Sequence, residues 1–322
     1  MGKKISLESF PLFQTKLQVL CWQAHPHTSS VLSVKNVSAT ELVSLGGKDS
    51  LKLWYLEAAD NSNKSDNAPK MAEYLASVTP VCRVQISLGD YLGFSECDVF
   101  RHSNCIVAAV PGDLQDSVSV WSLNQNVKIC QLRVEAANKV GSIMQLKWVE
   151  KKGTASLAVA YESGDFCLWN WSNKDVYSST RIDGTPLCLE YDQNLGVGII
   201  GTAQEIIYIY MITNANELQV VNQIKVINES IGCCISRPDS KIYVTGGFDK
   251  KIRIFSWDAS RLLAVLDVHT KSISCLHYSG SRVACYEWEE SGSKGAGPST
   301  AGTEHMLAAG SLDGSISLWK IF

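Results

Sequence analysis

Short apolar runs that alternate with polar positions fill the chain from about residue 17 onward, each broken by Gly, Asp, Asn or Ser. No segment keeps a helical period over the ten or so residues that a helix needs, so the pattern predicts strands and tight turns only. The clearest stretch is Leu307 to Trp319, LAAGSLDGSISLW, in which two alternating runs flank an Asp-Gly pair. That arrangement is the strongest short-range signal for a β-hairpin. It recurs as LVSLGGKDSLKLW (Leu42 to Trp54), SLAVAYESGDFCLW (Ser156 to Trp169) and IYVTGGFDKKIRIF (Ile242 to Phe255), with weaker copies ending at Trp121 and Tyr210. Upstream of each hairpin lies another pair of apolar runs, such as Leu262 to Leu266 and Ile273 to Tyr278, so each unit holds four strands.

The aromatic ends fall at 54, 121, 169, 210, 255 and 319, with spacings of 67, 48, 41, 45 and 64. A period of about 40 to 45 residues marks the blades of a β-propeller. The two long spacings hold polar stretches, 57–75 and 287–304, whose Asn, Ser, Gly, Lys and Glu cannot bury enough apolar area to be core, and both are expected as surface-loop insertions. The fold class is therefore all-β, one propeller domain over residues 1–322 with six recognisable repeats. Leu17 to Trp22 (LQVLCW) occupies the place of an outer strand and is expected to complete the last blade.

Composition narrows the function. The chain is 45% hydrophobic and 19% charged, enough for a large core, and its formal charge of −3 leaves no basic footprint for nucleic acid. No run of about 18 uncharged apolar residues predicts a membrane span, and Met1-Gly2-Lys3-Lys4-Ile5 lacks the apolar core of a secretory signal. Eleven cysteines, odd in number and set in strand-like runs without framework spacing, are expected as reduced core residues of an intracellular protein.

The residues with chemistry to offer read as structural. In the last unit His269, Asp313 and Trp319 hold the places of a His before the innermost strand, an Asp in the hairpin turn and a Trp on the third strand, expected to hydrogen-bond inside the blade. His25, Asp49 and Trp54 approximate that set in the first unit, with Asp49 five rather than six residues before its Trp. Trp121, Trp169, Asp249 and Phe255 fill corresponding places elsewhere. As His/Asp catalysis these sets lack an upstream nucleophile. Gly196 to Gly201 matches GxGxxG, but a strand-like IIYIY follows where a dinucleotide loop needs a helix. His25-Pro26-His27 has no further ligand at metal spacing. No P-loop, nucleophile elbow or HExxH occurs, so no catalytic, cofactor-binding or metal-binding residue is expected, and the chain is not an enzyme.

Gly232 to Tyr278 and Met306 to Trp319 strongly resemble the C-terminal WD repeats of guanine-nucleotide-binding protein subunit β-like protein 1, the family also called ASTRA-associated protein 1. The resemblance rests on Arg237-Pro238-Asp239 before a second strand, on Ile252-Arg253-Ile254-Phe255-Ser256-Trp257 in place of Leu-Trp-Asp, and on Leu263-Ala264-Val265-Leu266 ahead of His269. Leu92-Gly93-Phe94, Val107 to Gly112 and the turn Ala160 to Gly164, with Ser163 where Asp is usual, look like further family features. The family resembles seven-bladed propellers, and a VLRGH-type first repeat has no counterpart here, which points to a chain lacking most of that blade. The resemblance implies a scaffold, monomeric within a larger complex, that works with ASTRA subunits and the Tel2–Tti1–Tti2 co-chaperone in maturing phosphatidylinositol-3-kinase-related kinases, with a link to chromatin remodelling and a place in nucleus and cytoplasm. It implies no cofactor, no direct nucleic-acid contact and no membrane. Two alternatives remain. A cullin-ligase substrate receptor would carry W-D-x-R, which Trp257-Asp258-Ala259-Ser260-Arg261 misses by one residue. A G-protein β role would need a coiled-coil helix, for which Met1 to Thr15 offers no heptads.

Overall fold

The computed structural model describes residues 24, 30–38, 40–47, 49–58, 78–88, 95–102, 104–134, 139–151, 153–227, 230–279, 283–284 and 303–321. It is an all-strand β-propeller of six blades. Blade one is β1 (Val31–Asn36), β2 (Glu41–Gly46), β3 (Ser50–Ala58) and β4 (Val78–Ser87). Blade two is β5 (Asp98–His102), β6 (Cys105–Pro111), β7 (Ser117–Ser122) and β8 (Val127–Arg133). Blade three is β9 (Ile143–Lys151), β10 (Thr154–Tyr161), β11 (Asp165–Asn170) and β12 (Asp175–Arg181). Blade four is β13 (Pro186–Asp192), β14 (Val197–Thr202), β15 (Ile206–Ile212) and β16 (Leu218–Lys225). Blade five is β17 (Ile231–Ser236), β18 (Ile242–Gly247), β19 (Ile252–Ser256) and β20 (Leu262–Leu266). Blade six pairs β21 (Ile273–Tyr278) with β24 (Met306–Ser311) and β25 (Ile316–Lys320), and a two-stranded ribbon, β22 (Val283–Ala284) with β23 (Thr303–Glu304), interrupts it.

The strands fall into two compact units. One holds the described residues up to Pro186 together with 212–219, and the other holds 187–211 and 220–321. In the first, apolar clusters join neighbouring blades: Val43, Leu45, Leu51 and Leu53 of blade one pack with Ile106, Ala108 and Val110 of blade two. Val118, Val120 and Leu132 of blade two pack with Leu146, Leu157 and Val159 of blade three. In the second unit Ile199 and Ile207 meet Ile231 and Tyr243, while Val244, Ile252 and Ile254 meet Ile273, Leu307 and Ala309.

Burial explains why the middle strands read as continuous apolar runs. β6 and β10 are covered on both faces, whereas β8, with the pattern VKICQLR, alternates exposed and buried side chains as a half-covered strand must. Each buried Val, Leu or Ile contributes about 1.5–3 kcal/mol of transfer free energy.

Two repeated irregularities complete the blade. The ladder between third and fourth strands slips by one residue at Trp54, Trp121, Trp169 and Phe255, so in these four blades the aromatic that ends the hairpin in the sequence marks a β-bulge. The turns from third to fourth strand in blades two to five carry Asn126, Lys174, Asn216 and Ser260 at positive φ.

Strand pairing takes in Glu57 and Ala58, which sit opposite Thr79 and Val78, and on this ribbon Arg83 pairs with Glu57 and lies over the Tyr55 ring. The rest of the 57–75 insertion lies outside the described residues, as does most of 287–304 apart from β23. Leu17 to Trp22 also lies outside them.

Candidate functional site

Blade six holds the densest polar arrangement. His269, 4% exposed, precedes β21; its Nδ1 lies 3.2 Å from Asp313 Oδ2 and 3.1 Å from Ser315 Oγ, and its Nε2 lies 2.8 Å from Ser317 Oγ. Trp319 Nε1 is 2.8 Å from the same Ser317 oxygen. An indole N–H can only donate, so Ser317 accepts it; the Asp313 carboxylate can only accept, so His269 donates from Nδ1–H, and in that neutral tautomer Nε2 accepts the Ser317 hydroxyl. The chain thus runs Trp319, Ser317, His269, Asp313, each member orienting the next. Asp313 accepts the Thr270 N–H at 2.9 Å, the Ser315 N–H at 2.9 Å and the Ser315 hydroxyl at 2.5 Å. The Ser315 hydroxyl, followed by the Thr270 N–H, holds the Asp313 carboxyl well below the usual range.

The row of serine, imidazole and carboxylate has the order of a hydrolytic triad. Here the Ser317 oxygen is already occupied by the Trp319 indole, and the imidazole is closed inside the blade. Its evident work is to tie the segment before β21 to the β24–β25 turn and to the third strand.

The other blades solve the same problem differently. In blade one the pair Leu45 and Leu51 corresponds to Gly310 and Ile316, which puts Asp49 at the place of Gly314 rather than of Asp313. Its carboxylate lies 3.5 Å from Lys52 Nζ, and the buried Lys52 also donates to the Ala24 carbonyl at 2.8 Å. Trp54 Nε1 donates to Ser44 Oγ at 2.8 Å; His25 lies outside the described residues. In blade five Asp249 does occupy the place of Asp313, but no histidine precedes β17, and its carboxylate takes Arg253 at 2.6 and 3.0 Å. Phe255 replaces Trp and stacks on Tyr243 at 5.0 Å, and Tyr243 in turn meets Trp257 at 4.5 Å. In blade three Ser163 stands in the turn and bonds Asp165 at 2.6 Å. Among the described residues the buried indole N–H of Trp121 completes no hydrogen bond, and that of Trp169 has only a poorly aligned contact with the Tyr161 hydroxyl.

Sequence reasoning missed three elements. Ser315 and Ser317 carry blade six's chain, yet alternating serines in a strand read only as solvent-facing. Asp192, 5% exposed, accepts the Ser236 hydroxyl at 2.5 Å, the Ser240 hydroxyl at 2.8 Å and two backbone N–H groups, and Trp257 Nε1 donates to Ser236 at 3.1 Å. A turn aspartate gives no hint that it links blades four and five. Arg237 is the third: its guanidinium forks onto Asp239 at 2.7 and 2.9 Å and donates to the Ile321 carbonyl at 2.9 Å. Burial would raise the Asp239 carboxyl, but the Arg237 guanidinium outweighs it and holds it low. The Arg-Pro-Asp signature is therefore a clamp between blades five and six.

The GxGxxG match is a turn at Gly196 (φ 71°) followed by β14, in which Gly198 is required because a Cβ there would fall 2.3 Å from the Tyr210 ring. Among the described residues no group of three His, Cys, Asp or Glu side chains is arranged to hold a metal ion.

Six strand repeats, five of them four-stranded sheets and the sixth three-stranded among the described residues, four of which bulge at the closing aromatic, with a His–Asp tie in the last, define a WD-repeat β-propeller. Residues 222–256 match the family described as WD domain, G-beta repeat. The chain has homologues among curated proteins of two names. It is 29% identical over 237 residues to guanine nucleotide-binding protein subunit beta-like protein 1 of Mus musculus, an alignment covering 72% of this chain and 66% of the mouse protein. It is 23% identical over 332 residues to ASTRA-associated protein 1 of Verticillium alfalfae, covering 94% and 81%, and 24% identical over 394 residues to the Penicillium rubens protein of the same name, covering 96% and 88%.

Proposed function

We propose that this chain is a non-enzymatic adaptor that works with ASTRA subunits and a Tel2–Tti1–Tti2 type co-chaperone in the maturation and stability of phosphatidylinositol-3-kinase-related kinases, in the nucleus and cytoplasm and as a single copy within a larger complex. The observation that carries this reading is the alignment to proteins named ASTRA-associated protein 1 over 94% and 96% of the chain. The interior polar groups support it as well. His269, Asp313, Asp192 and Arg237 are committed to ties within and between blades, which leaves the loops to meet partners.

Affinity purification of the full chain from cells tests the reading. The adaptor recovers the co-chaperone subunits, and its depletion lowers the protein levels of several kinases of this class without lowering their transcripts. A ligase receptor would instead recover a cullin adaptor and its loss would raise client levels, whereas a G-protein subunit would recover α and γ chains. Recovery of either set in place of the co-chaperone overturns the proposal.

A further inference from the structure

At one end of blades four to six, the turns between second and third strands and the segments leading into the first strands are joined side to side. Ser230 N donates to the Ala203 carbonyl at 3.1 Å, Phe248 N to Ser230 O at 2.9 Å, Ser272 Oγ to Phe248 O at 3.1 Å and Leu312 N to Ser272 O at 3.0 Å. The row lies within one compact unit.

Large apolar side chains stand on this row. Phe248 is 56% and Leu312 67% exposed, and they hold the same turn position in consecutive blades, two residues past Gly246 and Gly310. The corresponding residues of blades one, three and four are Gly47, Glu162 and Ala203, while the longer turn of blade two carries Leu114, 46% exposed, so blades five and six are the neighbouring pair with bulk at this position. Ile227 and Val268, on the adjoining segments, are exposed too. The Phe248 ring is seated rather than loose: a Cβ on Gly232 would fall 2.6 Å from its Cε1. Loops are ordinarily polar, and exposed apolar side chains gathered on neighbouring loops mark an interaction surface.

Charge narrows the partner. Three acids of these turns already face cations, Glu205 with Lys225 at 3.2 Å, Asp249 with Arg253 at 2.6 Å and Asp267 with Lys251 at 3.9 Å, and a fourth, Asp313, is taken up by hydrogen bonds from Ser315, Thr270 and His269. Lys250 and Lys271, both exposed, have no ion pair among the described residues. Apolar anchors beside uncompensated ammonium groups fit an acidic segment with bulky apolar side chains.

We propose that this end of blades five and six is the docking surface for such a segment of a partner protein, its apolar side chains resting on Phe248 and Leu312 and its carboxylates meeting Lys250 and Lys271. The proposal rests on the adaptor reading in that it supplies the surface an adaptor needs.

The test places a photo-crosslinking phenylalanine analogue at position 248 of the full chain in cells, with position 176 on the outer strand of blade three as control, and sequences the crosslinked peptides. Position 248 is expected to capture acidic segments of another protein and position 176 is not. Leu312→Glu and the pair Lys250→Glu/Lys271→Glu should each lower capture and co-purification about tenfold or more, with an unchanged melting temperature, because all three side chains are exposed. Capture of a second copy of this chain, of nucleic acid or of basic segments overturns the proposal, as does wild-type capture by Leu312→Glu. The two readings separate cleanly. Co-chaperone recovered by Leu312→Glu at wild-type level removes the surface and leaves the adaptor, whereas acidic capture from a chain that recovers no co-chaperone leaves the surface and removes that partner.

Discussion

Blades three and six both close their third strand on Leu-Trp, and they hold that tryptophan by opposite means. In blade six Trp319 begins a hydrogen-bonded chain through Ser317 and His269 to Asp313. In blade three Trp169, 3% exposed, lies in a cluster with Leu146, Trp148, Leu157 and Cys167, and Tyr161 faces it. The Tyr161 hydroxyl is pushed well above its ordinary pKa, chiefly by burial, while the Trp169 indole N–H beside it pulls the other way through a contact too poorly aligned for a full hydrogen bond. One repeat signature can thus be satisfied by a polar chain or by packing with no more than one poorly aligned indole–hydroxyl contact. What the two blades share is the hydrophobic mass of the ring, which should dominate stability, while the polar chain should register as coupling and as pH dependence.

The largest expected effect tests the shared part. Trp169→Ala and Trp319→Ala should each cost about 3–5 kcal/mol through cavity formation, read from denaturant unfolding. Costs under about 1 kcal/mol at both positions would mean that the rings do not carry the blades.

A double-mutant cycle breaks the comparison open. Combining His269→Ala with Trp319→Phe should reveal a coupling of about 1 kcal/mol, since the serine between them serves both. His269→Ala with Trp169→Phe shares no partner and should add to within about 0.5 kcal/mol. Equal coupling in the two cycles would refute a chain confined to blade six.

The smallest effect is on pH. Asp313 binds its proton less readily folded than unfolded, so its contribution is present above the unfolded carboxylate value of about 3.9 and drains away as pH falls below it. Melting temperatures of the native chain and of Asp313→Asn should differ most at neutral pH and converge toward about pH 2. A constant gap across that range would show that the carboxylate's charge plays no part.

The blades themselves were legible because a period-2 pattern repeated at blade length leaves little choice: Ile242 to Phe255 and Leu307 to Trp319 each become the two middle strands of a sheet. The interior ties were legible only where residue type and spacing both survive. His269 and Asp313 kept their places, while Asp49 sits one place along the turn and finds Lys52 instead. Ser317, Asp192 and Arg237 were illegible for a physical reason. Their partners are fixed by packing between segments far apart in sequence, and a hydroxyl, a turn aspartate or an arginine beside proline carries no mark of the partner it will meet.

The Arg237 clamp has a consequence for the order of assembly. Its acceptor, the Ile321 carbonyl, lies 84 residues further along the chain. At translation rates of about 5–20 residues per second, that carbonyl is made roughly 4–17 s after the arginine. During that interval Asp239 is the only one of the arginine's two partners yet made, and the guanidinium that will be buried between blades five and six still faces water. Blade five can form its strands early, but it reaches its final set of partners only when Ile321 has been synthesised.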